Sequence, residues 1–195
     1  MKEHVSWHET ADIYCKAEMY EDAVSCYNRA IELNPVDDTA WFRKGIISLL
    51  LDRNEEELEC YNKALEINPR NINAMQNKAA HLLKQDKDIK AMECLNKALF
   101  IAQQDIDALE DKAVNLSGLN REQEAMECLD GVIDIVLRKA CIMFNKGIAL
   151  KKEGRYWDAL LAFNNGLEFY PDDEDALQCA DGILRKLINP EEDIV

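Results

Sequence analysis

The stretch "AVSCYNRAIELNP", Ala23 to Pro35, returns as "ELECYNKALEINP", Glu57 to Pro69, 34 residues further on. A third, blurrier copy, "AMECLNKALFIAQ", begins at Ala91. Self-similarity at a fixed period of this length marks a chain built from one supersecondary unit used repeatedly. Carried both ways, the ruler divides the chain into copies at 4–37, 38–71, 72–105, 106–139 and 140–173, without insertion or deletion. Each copy holds two helical segments. In the second, "DTAWFRKGIISLLL" has apolar residues at helical spacing, polar "DRNE" follows, then "EELECYNKALEI" and "NP". Asn-Pro punctuates the end, because proline cannot continue a helix and restricts the residue before it. Neither helix buries its apolar stripe alone, so the pairs must stack on their neighbours.

Composition agrees with helix throughout: there are only 7 glycines and 4 prolines, and 48 % of the residues are apolar. The net charge of −15 argues against a nucleic-acid surface and against binding to anionic lipid. No apolar run reaches the ~18 residues of a membrane span, and "MKEHVSWHETAD" has no signal-peptide core. The 7 cysteines are odd in number and include no C-x-x-C pair. Reduced thiols in a cytoplasmic protein are therefore expected. Cys26, Cys60, Cys94 and Cys128 recur once per copy. Stacked helices lie ~8–10 Å apart, too far for a shared metal or a disulfide, so these cysteines read as small packing residues.

Helix–turn–helix units of this length and pattern resemble tetratricopeptide repeats. The family's large residue early in the first helix is matched by Trp7, Trp41, Met75, Leu109 and Met143, and its small residue four positions on by Ala11, Gly45, Ala79, Ala113 and Gly147. Ala23, Ala91, Ala125 and Ala159 match the small residue that opens the second helix. Tyr27, Tyr61, Leu95, Leu129 and Phe163 match the following aromatic or Leu. Ala30, Ala64 and Ala98 match a later small residue, and Pro35, Pro69 and Pro171 the terminal proline. The resemblance implies an all-α, right-handed superhelical solenoid of five helix-turn-helix units. Residues 174–188, "EDALQCADGILRKLI", read as a capping helix with Leu177, Ala180, Leu184 and Leu187 on its packed side, and 189–195 as a tail.

Five positions depart from the pattern. Glu57 occupies a position where a small residue should separate the helices, so its carboxylate is expected to snorkel outward or the turn to rearrange. Gln103 and Leu137 replace proline, and Val132 and Gly166 replace alanine. Nothing between Gly131 and Arg138 stops a helix, so the boundary between the fourth and fifth copies is the weakest.

Catalytic chemistry finds little support. His4, His8 and Asp12 follow i, i+4, i+8 spacing and could hold a divalent metal, but an exposed polar helix face is the better reading. His81 stands alone, and no phosphate loop or nucleophile–His order appears. The expectation is a non-enzyme without cofactor or metal. Lys44, Lys78, Lys112 and Lys146 form a column at repeat spacing, with Glu59, Glu93 and Glu127 as candidate neutralisers. They read as snorkelling side chains over the packing seam.

In the family the resemblance names, the first helices line a concave face that takes an extended peptide or a partner's helix. The helical period places Phe42, Arg43 and Ile46 on that lining in the second copy, and Phe144, Asn145 and Ile148 in the fifth. Asn73 and Asn77 follow in the third copy and Asp111 in the fourth. Two apolar anchors, Phe42 and Phe144, ~30 Å apart at ~10 Å per layer, suit an extended peptide of ~9 residues, with a basic middle facing Asp107, Glu110 and Asp111 as one option. The clamp by which some relatives hold acidic chaperone tails is not matched: His8 and Asp12 stand where it carries Lys and Asn, and Asn73 stands in place of a Lys. The expected function is thus non-catalytic binding of a protein or peptide, as a monomer or weak homodimer. A self-assembling structural module, joined through the apolar inner faces or ends, is the alternative.

Overall fold

The computed structural model describes residues 6–118 and 121–188, apart from the side chains of Leu116, Gly118 and Ala125. His4, the Ala125 side chain and the tail at 189–195 lie outside what is described. The described residues form helices and connecting turns, with no strand: α1 Trp7–Lys16, α2 Tyr20–Leu33, α3 Asp38–Leu50, α4 Asn54–Ile67, α5 Ile72–Lys84, α6 Asp88–Gly118, α7 Glu122–Lys152, α8 Tyr156–Leu167 and α9 Glu174–Ile188. The chain divides into two compact units, 1–81 and 82–195, with the boundary inside α5.

Local chemistry repeats with the ruler. Asp37, Asn71 and Asp173 each place a side-chain oxygen on the amide three residues ahead, at 2.9, 3.0 and 2.8 Å, and so cap α3, α5 and α9. Inside the copies, the turns share another device. Glu18, Asp52, Asp86 and Gly154 all adopt positive φ, between 55 and 75°. The next amide then reaches back to a carbonyl in the last helical turn, as in Met19 to Tyr14 and Arg53 to Ser48. This is a Schellman closure, and it recurs at 18, 52, 86 and 154.

Where the punctuation is present, the helices stop. α2 ends before Asn34-Pro35, α4 before Asn68-Pro69, and α8 before Tyr170-Pro171. Ala102-Gln103 and Val136-Leu137 occupy the corresponding positions further along, and there the helices run on. Without proline, every amide keeps its i−4 carbonyl, and Ala, Gln and Leu are good helix formers. The separate helices expected on either side of 105/106 and 139/140 are therefore fused into α6 and α7, of 31 residues each. Asp105, a competent capping residue at the register of Asp37 and Asn71, sits in mid-helix.

In the first unit, the core of α1, α2 and α3 gathers Ala11, Ala23, Tyr27, Ala40 and Ile47. α4 adds Cys60, Tyr61 and Ala64, all buried. A Cβ on Gly45 would lie 2.6 Å from the Tyr61 ring, so the small residue is what lets α3 and α4 approach. In the second unit α6 and α7 form an antiparallel hairpin. Lys139 Nζ donates to Gln103 Oε1 at 2.6 Å near its middle, Lys152 Nζ to Asp86 Oδ1 at 2.7 Å at its base. The main core joins Leu150 and Phe144 of α7 with Leu160 and Phe163 of α8 and Ala176, Ala180 and Ile183 of α9. Gly166, an apparent departure in the sequence, is explained here: a Cβ would sit 2.2 Å from the Phe144 ring. α9 presents a different face from the expected one. Ala176, Ala180 and Ile183 are buried, whereas Leu177 and Leu184 are exposed, because the stripe runs 176–180–183–187. Beyond that core, the distal end of the hairpin has a small core of its own, Ala113 and Cys128 with Leu109 against them.

Candidate functional site

The candidate lining residues fall in both units. In the first, Phe42 is half-buried, its ring 6.1 Å from that of Tyr61, and Ile46 is half-buried on the same helix. Arg43 is exposed, and its guanidinium donates to Asp12 Oδ1 at 3.0 Å. Asp12 also accepts from the Tyr27 hydroxyl at 3.0 Å. Burial and that carboxylate both push the Tyr27 pKa upward. An ion pair this exposed holds Arg43 only weakly, so an acidic ligand can compete for it.

Asn73 and Asn77 are half-buried one helical turn apart on α5, and neither amide has a hydrogen-bond partner among the described residues. Each offers two donors and an acceptor, the set that recognises the main chain of an extended ligand. In the second unit, Phe144 and Asn145 are half-buried and Ile148 is exposed on α7. Asp111 is exposed on the distal part of α6. Gly131 of α7 faces Leu109, which puts Asp111 about 20 Å along the hairpin from Phe144. Within the second unit, therefore, Asp111 and Phe144 do not converge on one spot. Phe42 and Phe144 belong to different units.

Glu57 overturns both readings offered for it. Its carboxylate is neither turned outward nor the cause of a rearranged turn: Glu57 is 1 % exposed and its Oε2 lies 2.8 Å from Nδ1 of His81, itself 2 % exposed. His81, isolated in the sequence, is the partner that makes the burial tolerable. Tyr61 completes the group. Its hydroxyl is buried and meets no acceptor in hydrogen-bonding geometry, and burial, then the neighbouring Glu57 charge, drive its pKa upward. Only a contact across 24 residues reveals this, and no local motif signals it.

The other charged candidates are engaged structurally. Lys44 pairs with Glu56 at 2.9 Å, not with Glu59, and lies 5.8 Å above the Trp41 ring. Its ammonium holds the Glu56 carboxyl below the usual range. Lys146 lines a cavity of about 290 Å³ with Asn96, Met143 and Asn165, between α6, α7 and α8. His8 gives Nε2 to Asp37 at 2.8 Å and sets its ring edge-on to Tyr27. Of the proposed metal trio, His4 lies outside the described residues, and no group of His, Cys, Asp and Glu suited to a metal occurs among those described. Of the column cysteines, Cys26, Cys60 and Cys128 are buried and Cys94 is half-buried.

Residues 8–72 match the tetratricopeptide repeat family. The tetratricopeptide repeat domain of Arabidopsis OM64 superposes with a TM-score of 0.54 at 17 % identity, covering 75 % of this chain and 93 % of that one. A tetratricopeptide repeat protein from Parabacteroides merdae gives 0.50 at 18 % identity, over 91 % of this chain and 70 % of that one. Those likenesses define an all-α solenoid of helical repeats. The match to the tetratricopeptide repeat family falls on the first unit, and over the rest of the chain the likeness is one of fold. No curated protein sequence matches the chain significantly. No described helix is long and apolar enough to cross a membrane. The tetratricopeptide fold is a general scaffold for protein–protein interaction.

Proposed function

We propose that this chain is a non-catalytic binding module that holds an extended peptide or a partner's helix against the first helices of its repeats. Its five 34-residue copies include a fourth made from the distal ends of α6 and α7. The observation that carries the reading is the pair Asn73 and Asn77, half-buried side-chain amides without partners, one turn apart on α5. Side-chain amides that keep their donors and acceptors free of protein partners suit a ligand that supplies main-chain donors and acceptors. Phe42, Ile46 and Arg43 carry the neighbouring copy's contribution, and Phe144, Asn145 and Ile148 offer a second apolar contact. Asp111 suits a basic stretch of the ligand. A cytoplasmic location and a monomeric or weakly dimeric state go with this reading.

The test is an affinity pull-down from source extract, comparing wild type with an Asn73→Ala, Asn77→Ala variant shown to be folded by circular dichroism. These positions are preferred to Phe42 and Phe144, whose rings pack against Tyr61 and Gly166 and whose loss would disturb the fold. Partners lost only from the variant support the reading. Unchanged partners move recognition elsewhere.

A further inference from the structure

Position by position, the repeats bury the same residue: Tyr27 is 1 % exposed, Tyr61 0 %, Leu95 0 % and Phe163 1 %. Leu129, at that register in the fourth copy, is 48 % exposed. The cause is the fusion of helices. In a stacked repeat, the helices before and after the pair fold back over it. Here those helices are the continuations of α6 and α7 themselves, and a straight helix cannot pack on its own other half. The distal hairpin therefore keeps an apolar seam that no other described residue covers. Val114 of α6 and Met126, Leu129 and Ile133 of α7 are exposed along it. Positions 126, 129 and 133 share one face of their helix, and 110, 114 and 117 one face of theirs. Between the two faces runs an open groove of about 660 Å³, lined by Val114, Met126 and Leu129 and bordered by Glu110, Ser117 and Glu122.

Its shape and its charge identify the occupant. A groove between two antiparallel helices, lined at i, i+3 and i+7 positions, accepts a third helix by ridge-into-groove packing. Glu110 and Glu122 border the seam, and Glu124, Glu127 and Asp130 are exposed nearby on α7. The basic residues of this end are Lys112 and Arg121, and Arg121 is already paired with Glu124. A second copy of the chain would bring the same acidic rim against this one, at a cost in like-charge repulsion. We infer that the distal α6–α7 hairpin is a docking surface for a basic amphipathic helix of a partner protein, separate from the amide-bearing face of the first unit. Its apolar stripe covers Leu129, Met126 and Val114 while its Lys and Arg side chains meet the carboxylates at the rim.

The experiment uses the whole chain and a defined probe: a fluorescein-labelled 18-residue peptide of Leu and Lys, with Leu at helical spacing on one face. A scrambled peptide of the same composition is the control for non-specific attraction to an acidic protein. The expected result is saturable binding with a gain in peptide helicity, at least tenfold weaker for the scrambled peptide. Met126→Ser with Leu129→Ser should weaken binding at least tenfold. Both side chains are solvent-exposed, so the fold should survive, which circular dichroism checks. Glu110→Gln with Glu122→Gln should weaken binding severalfold and flatten its salt dependence. Asn73→Ala with Asn77→Ala should leave it unchanged, which separates this surface from the proposed function. Equal binding of the two peptides, or full affinity in the Met126→Ser, Leu129→Ser variant, would overturn the inference. So would sedimentation showing a dimer of the chain that those substitutions dissociate, since the groove would then belong to a second copy.

Discussion

Glu57 Oε2 and His81 Nδ1 stand 2.8 Å apart with both side chains shut off from water, so α4 and α5 are joined through the interior of the first unit. A buried polar pair adds little net stability over apolar residues of the same shape, but breaking it strands one member. Glu57→Leu or His81→Leu alone should each cost about 2–4 kcal/mol, and the double substitution should recover at least half of the summed loss. Urea denaturation of the four proteins measures this. Strict additivity would mean that the two side chains do not depend on one another.

That pair also marks the limit of what the sequence discloses. The 34-residue period made the helices, the small residues at Ala11, Gly45 and Gly147 and the stops at Pro35, Pro69 and Pro171 legible, because each depends on a local rule repeated in register. Gln103 and Leu137 were visible as missing stops, but that two helices would run through them depends on the balance between a capping residue such as Asp105 and uninterrupted hydrogen bonding. The positive-φ column at Glu18, Asp52, Asp86 and Gly154 is not legible in the sequence, since Glu and Asp do not announce a left-handed residue as glycine does. Glu57 looked like an exposed exception because its partner is remote in the chain. For the proposed binding face, the helical period assigns Asn73 and Asn77 to a lining, but only the structure shows that their amides have no partner among the described residues.

The continuity of α6 through Gln103 is open to direct measurement. Spin labels at the exposed positions Lys97 and Lys112 should be separated by about 22 Å between backbones, the span of fifteen residues of unbroken helix. Gln103→Pro should cost about 3 kcal/mol and shorten or broaden that distance distribution. An unaltered distribution in the proline variant would show that the helix is already broken there in the wild type.

Two glycine-to-alanine substitutions should have opposite signs. Gly45→Ala forces a methyl group to 2.6 Å from the Tyr61 ring and should destabilise by about 1–3 kcal/mol. Gly182→Ala, in α9 with open space around it, should stabilise by up to about 1 kcal/mol through helix propensity. Thermal melts of both variants suffice. A neutral Gly45→Ala would mean that α3 and α4 do not touch through this residue.

Burial pushes the Cys60 thiol up to about 12, and Cys26 also upward. At pH 8 Cys60 is then almost wholly protonated, whereas an unperturbed thiol is about one-quarter thiolate. Iodoacetamide at pH 8 should leave Cys60 unmodified in the native protein and label it in urea, as read by peptide mass spectrometry. The linkage has a sign. Between about 8.5 and 12 the unfolded chain has released a proton that the folded chain retains, so this thiol's contribution to stability is complete below about pH 8.5 and declines as pH rises. Rapid native labelling of Cys60 would contradict its burial.

The binding claim rests on Asn73 and Asn77, and the most direct measurement follows their side-chain amide signals by nuclear magnetic resonance. ¹⁵N-labelled protein would be titrated with the partner segment recovered by pull-down. The expected result is that both NH₂ pairs shift and become protected from solvent exchange in proportion to occupancy, while Asn73→Ala, Asn77→Ala protein binds at least tenfold more weakly. Unmoved Asn73 and Asn77 signals in a saturated complex would contradict it and place the partner on another surface.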